Sequence, residues 1–298
     1  MKIYDCFMFS DENMILLIRL NELNKYIDKF IITEAAYTHD GSPKKLNFNL
    51  NNFREFKDKI EYIVVKSPPV DLVEENENDS NSLKSEKKII NSLKRENYQR
   101  NQLIEGIKGA DNDDLIFVSD LDEIPKLDNI NFNKINNEIL IFKQKMFYYK
   151  FNLLYENFIW YGPKATKKKN LKSPQWLRNI KNKNYPFWRL DTLWSKNKSS
   201  HVKFINDGGW HFTCIKTPEE VDKKLSTFLH HQDYEESGIS LNDLKKKMEN
   251  KRVLYDHNLD KKSQNKWETD ITLKTIDKHQ LPNYIYRNSD KYSEWLEK

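Results

Sequence analysis

This 298-residue sequence predicts an α/β fold with a mostly parallel sheet, helices on both faces and a less regular α+β C-terminal part. Three observations predict it. Strand-like and helix-like segments alternate over positions 1–125, the order that βαβ units impose. DKFIITE at 28–34 is almost continuously apolar, as a strand buried on both faces is. IFVSDLDEIP at 116–125 ends a buried-looking strand on Asp120, Asp122 and Glu123. Ligands of such sheets bind outside the carboxyl ends of the strands.

The elements follow in order. KIYDCFMF is rich in β formers and reads as the first strand. Ser10, Asp11 and Glu12 can cap a helix at 12–24, whose apolar positions are Met14, Leu17, Ile18 and Leu20. The strand at 28–34 leads to a loop with Gly41 and Pro43, and His39 in that loop is expected to be exposed. A short helix near 50–58 precedes a third strand, IEYIVV, at 60–65. The polar run ENENDSNS at 75–82 separates it from a long helix at 84–108, and strand four covers 115–118. Beyond it the pattern loosens. A long strand or hairpin arm is expected at 138–151 and a hairpin around Gly208 and Gly209 at 203–215. A helix capped by Thr217 and Glu220 is expected at 218–229, and another at 240–252.

Composition narrows the chemistry. With 7 Gly and neither GxGxxG nor GxxxxGK[ST], a glycine-rich phosphate loop is not expected. Cys6 and Cys214 stand apart in apolar runs and are expected as buried free thiols. Asp5 and Asp11 stand where a signal peptide would be apolar, and no apolar run approaches ~18 residues. A soluble, cytoplasmic protein is expected. Ten Lys and two Arg oppose Asp191 alone in 164–203, a net of +11, with Trp176, Tyr185, Trp188 and Trp194 interspersed. Such a stretch suits nucleic acid, an anionic acceptor, a lipid surface or plain solvent.

The three acids repel one another and call for a metal ion, a basic side chain or water beside them. Asp120 and Asp122 fall on one side of an extended segment. Two hard oxygen ligands there suit Mg²⁺ or Mn²⁺ together with substrate phosphates, although acids in a capping turn look the same. His211, after two glycines, is the best-placed third ligand; a histidine between Trp and Phe is as readily a core residue.

Five pieces carry a resemblance: YDCFMFSDE (4–12), ITEAAYTHDGSPKKLNF (32–48), RENYQRNQL (95–103), IFVSDLDEIP (116–125) and GGWHFT (208–213). In these the sequence resembles glycosyltransferase family 17, the family of the bisecting N-acetylglucosaminyltransferases. The resemblance implies a single GT-A-like domain over 1–298, with 1–125 the nucleotide-binding half and 126–298 the acceptor half. It implies an inverting transfer of N-acetylglucosamine from a UDP-sugar, with Mn²⁺ or Mg²⁺. Asp120 would meet ribose or metal, Asp122 metal and diphosphate, and His211 the metal. Phe7, Glu34, Lys44 and Arg100 would line the nucleotide side. The base is left among Glu123, Asp207 and Asp233, while Trp160, Trp210 and Tyr149 offer sugar-stacking faces. The basic 164–203 stretch is a candidate grip for a glycan or anionic acceptor. Two other readings compete: a metal-dependent phosphohydrolase or nuclease, and a non-catalytic basic nucleic-acid-binding protein.

Overall fold

The computed structural model describes residues 1–186, 188–189, 191–227, 231–260 and 263–298. The expected helix at 218–229 therefore lies partly outside the described residues. The strands are β1 (Ile3–Met8), β2 (Lys29–Ala35), β3 (Ile60–Val65), β4 (Leu115–Ser119), β5 (Glu123–Pro125), β6 (Ile139–Tyr148), β7 (Leu153–Lys167), β8 (Val202–Ile205), β9 (Gly209–Thr213) and β10 (Lys274–Thr275). The helices are α1 (Asn13–Leu23), α2 (Asn81–Asn101), α3 (Leu103–Gly106), α4 (Pro174–Asn179), α5 (Asp191–Trp194), α6 (Pro218–Thr227), α7 (His231–Ser237), α8 (Leu241–Glu249) and α9 (Asn283–Arg287).

The α/β class stands as expected, but the sheet is mixed. Its order is β3-β2-β1-β4-β7-β6-β9-β5. The first four strands are parallel, and β7 then runs antiparallel to both β4 and β6. The chain moves outward from β1 to β3 and returns to β4 on the other side of β1. That reversal makes the carboxyl ends of β1 and β4, where Ser10–Glu12 and Asp120–Glu123 follow their strands, the position at which such sheets bind ligands.

Alternation along β1 explains the two-sided core. Ile3 and Phe7 join a cluster with α1 residues Leu16 and Leu20, while Tyr4 and Cys6 join Leu103, Ile107 and Leu177 on the other face. Cys6 and Cys214 are buried free thiols. A further cluster gathers Met146, Tyr148, Tyr155, Val221, Leu244 and Trp267 under the C-terminal part.

Three expectations need correction. The 203–215 segment is not a hairpin. β8 and β9 both pair in parallel with β6, at 139–142 and 145–148, so they prolong one edge across a short break. The helix expected at 84–108 starts earlier, capped by the Ser80 side chain on the Leu83 N–H, and divides at Gln102. His39 is half buried, and burial holds its pKa below the ordinary histidine value.

Candidate active site

The site rests on α1. NMILLIRLNEL carries one arginine among apolar residues, and Arg19 is fully buried. Its guanidinium grips Asp5 of β1 through Nε at 2.8 Å and Nη2 at 2.7 Å. Nη2 also donates to Ser119 Oγ at 2.5 Å. Nη1 donates to the carbonyls of Asp120 and Leu121, both at 3.1 Å, and of Glu123 at 2.8 Å. The Phe7 ring lies under this cation, 4.6 Å from Cζ. One side chain thus fixes the main chain of the acidic turn from below.

Glu123 fixes it from the side. Its carboxylate is fully buried. It accepts both Arg178 Nη groups at 2.8 and 2.9 Å, Trp160 Nε1 at 2.7 Å and the Asp120 N–H at 2.9 Å. Arg178, on α4, also donates to Asp120 Oδ2 at 2.9 Å and to the Gly162 carbonyl at 2.8 Å. The other Asp120 oxygen accepts from Arg100 Nη2 at 3.0 Å. Arg100 is tied in turn to Glu96 at 2.6 Å and Gln175 at 2.5 Å. Asp120 and Glu123 are therefore balanced by two guanidinium groups. Burial raises the Asp120 pKa, but Arg178 and Arg100 outweigh it and hold the carboxyl well below the usual range.

Asp122 differs. Its Oδ1 faces His211 Nε2 at 3.6 Å, and its side chain is 17% exposed. Its carbonyl accepts the Phe212 N–H at 2.9 Å. Burial raises its pKa, and His211 and then Lys224 bring it below the ordinary value. β9 pairs with β5 so that His211 stands opposite Glu123. The imidazole stacks on Trp160, with centroids 4.5 Å apart and planes at 24°. Its Nδ1 is buried and has no hydrogen-bond partner among the described residues. Lys216 with Asp11 at 3.0 Å and Lys224 with Glu12 at 2.8 Å link the loop after β1 to the α6 region.

Residues 1–296 match the family model of glycosyltransferase family 17. The chain belongs to this family. No curated protein matches the sequence. In this family-17 glycosyltransferase, Asp120, Asp122, Glu123, Arg100 and His211 come together. Phe7 lies beneath them as a fully buried ring. Glu34 is also fully buried, accepting the N–H groups of Asn47 at 2.8 Å and Phe48 at 3.0 Å, the Tyr62 hydroxyl at 2.8 Å and the Lys44 ammonium. Lys44 reaches the Ser10 carbonyl at 3.5 Å, which places it beside the loop after β1. Asp207 pairs with Lys126 at 2.5 Å in the turn before β9. Asp233 pairs with Lys266 at 3.0 Å on α7. Neither contact belongs to the Asp120–Glu123 cluster. Of the suggested stacking rings, Trp160 is half buried beside the site, whereas Trp210 and Tyr149 are core residues.

The donor set bears on the expected ion. Among the described residues, no group of three His, Cys, Asp or Glu gathers as a metal site. Both Asp120 oxygens are held by arginines. Asp122 and His211 offer one hard oxygen and one nitrogen across 3.6 Å. That pair fits Mn²⁺ or Mg²⁺ when substrate oxygens and water supply the remaining ligands.

Sequence reasoning missed Arg19, Asp5 and Arg178. The first two carry a signal, the single charge of β1 and the single cation of α1, in two apolar elements that pack together. Arg178 carries none, because it is one of many cations in its stretch.

Proposed function

We propose that this glycosyltransferase moves N-acetylglucosamine from its UDP-sugar to a hydroxyl of a glycan acceptor, on a GT-A-type fold, with inversion and with a divalent ion. The family gives the reaction class. The Asp122–His211 pair beyond the carboxyl end of β4 is the observation that supports the finer reading. A bound Mn²⁺ or Mg²⁺ would offset charge on the departing diphosphate, held by Asp122 and His211. Asp120, kept ionised and oriented by Arg100 and Arg178, is suited to accept from a ribose hydroxyl. Lys44, beside the loop after β1, can add positive charge near the phosphates. Glu123, closed on four donors, suits a positioning role: it orients Arg178, Trp160 and the Asp120 amide. Inversion needs a carboxylate that takes the acceptor proton. Asp233 is our assignment for that base. Lys266, its ion partner, lies over Tyr255 and Trp267 at 6.0 and 5.4 Å. Tyr255 abuts His257 at 4.3 Å, and His257 meets Trp160 at 6.2 Å. Tyr255, His257 and Trp160 thus form a run of half-buried rings that ends at the indole stacked on His211, with faces suited to a sugar.

Calorimetric titration of UDP and UDP-N-acetylglucosamine, with Mn²⁺ and with EDTA, tests this. Both ligands should bind with Mn²⁺, and affinity should fall at least about 10-fold with EDTA or in Asp122→Asn. Equal affinity in EDTA would remove the metal from the reading.

A further inference from the structure

Much of the basic stretch lies outside the site. α4 ends one residue after Arg178, and the segment 181–198 then leaves the sheet before returning to β8. Its base is closed by the Lys181 N–H on the Asn197 carbonyl at 2.8 Å. It holds five Lys and Arg against Asp191, a net of +4. Tyr185 is buried at its centre, with the charged groups of Arg189, Lys198 and Lys183 at 5.4, 5.7 and 5.8 Å from the ring centroid. Asp191 ties Arg189 at 2.8 Å and Lys198 at 2.7 Å. These contacts tie the described residues of the segment to one another.

Its two tryptophans are largely exposed. Trp188 is 69% exposed and Trp194 78% exposed. Lys181, Lys183 and Lys196 are exposed in the same segment. Indole rings beside lysines suit the bilayer interface: the ring sits at headgroup depth while the ammonium groups meet lipid phosphates. We propose that segment 181–198 is a peripheral membrane contact that lays Trp188 and Trp194 into the headgroup region of an anionic bilayer.

Charge and geometry favour this occupant. A net of +4 is complementary to anionic lipid, and attraction grows with each cation near the surface. A single-stranded nucleic acid would need open aromatic faces along a basic groove. Trp188 and Trp194 offer open faces, but the ring that three of the cations approach, Tyr185, is buried, so base stacking and the cations do not coincide there. A standard protein interface engages about 20–30 residues a side, more than this segment offers. Among the described residues no helix is long and apolar enough to cross a membrane. The contact would therefore lie on the surface and hold Arg178, three residues before the segment, close to it.

Co-sedimentation of the full chain with vesicles tests the assignment, using phosphatidylcholine alone or mixed with phosphatidylglycerol. The protein should bind the anionic vesicles and be released by salt, with tryptophan emission moving to the blue on binding. Trp188→Ala with Trp194→Ala should lower the partition coefficient at least about 10-fold at unchanged thermal stability. Lys181→Glu with Lys183→Glu and Lys196→Glu should abolish binding to the anionic vesicles. Equal binding by the tryptophan variant, no binding to anionic vesicles, or retention on a single-stranded oligonucleotide in preference to vesicles would overturn it.

Discussion

Arg19 spends its hydrogen bonds on Asp5, on Ser119 and on three carbonyls of the acidic turn. Arg19→Ala would strand the buried Asp5 carboxylate and orphan those carbonyls. The expected cost is about 3–5 kcal/mol of unfolding free energy, read from urea denaturation. Asp5→Leu combined with Arg19→Met should recover much of that stability, since an apolar pair can replace a buried ion pair. It should not recover Mn²⁺-dependent UDP binding, because the turn still lacks its donors. A double variant that regained both would show that packing alone holds the turn. The turn itself was legible: three acids after a buried strand mark a ligand end. Its neutralisation was not. Arg100 lies 20 positions from Asp120 and Arg178 lies 58 positions away, and no local pattern links partners that only the sheet brings together.

Local patterns served the strands of the first half well, because each of β1, β2 and β4 is a short apolar run buried on both faces. They failed for β7, which carries Gly162 and Pro163 in its interior. The structure accommodates the proline where the β6–β7 register shifts between Ile141 and Lys143, since a bulge needs no N–H there. They failed again at Gly208 and Gly209, which read as a hairpin turn. The partner of both flanking strands is β6, more than 50 positions earlier. Gly209 is required for another reason. Its φ is 117°, and a Cβ there would collide with the Ile124 carbonyl oxygen and come within 2.7 Å of Lys126 N. Gly209→Ala should therefore push β9 from β5, the pairing that sets His211 opposite Glu123. We expect a loss of about 2–4 kcal/mol in unfolding free energy, together with weaker UDP binding. Loss of stability at unchanged affinity would separate β9 register from the site.

The pH dependence of stability joins both halves of the sheet. Lys164 of β7 is 4% exposed, and its ammonium donates to the Arg178 carbonyl at 2.7 Å and to that of Ile180. Burial pushes its pKa down to about 7; Arg178 adds to the shift and Glu123 opposes it. A folded-state pKa below the unfolded one means that the unfolded chain binds the extra proton between the two values. The penalty for burying the charge is thus present in full below pH 7 and is relieved as pH rises. Asp120 and Asp122 act at the other end, with depressed pKa values whose stabilisation is lost only on acidification below the usual carboxylate range. Above about pH 9 the trend turns, because burial raises the Cys6 thiol and the unfolded chain ionises first. The diagnostic window is therefore about pH 7–9. Stability should climb there, by at most about 1.4 kcal/mol per pH unit from Lys164. Lys164→Met should flatten that climb. Urea midpoints measured at both ends of the window decide it, and equal slopes in variant and parent would show that the Lys164 charge state does not change on folding.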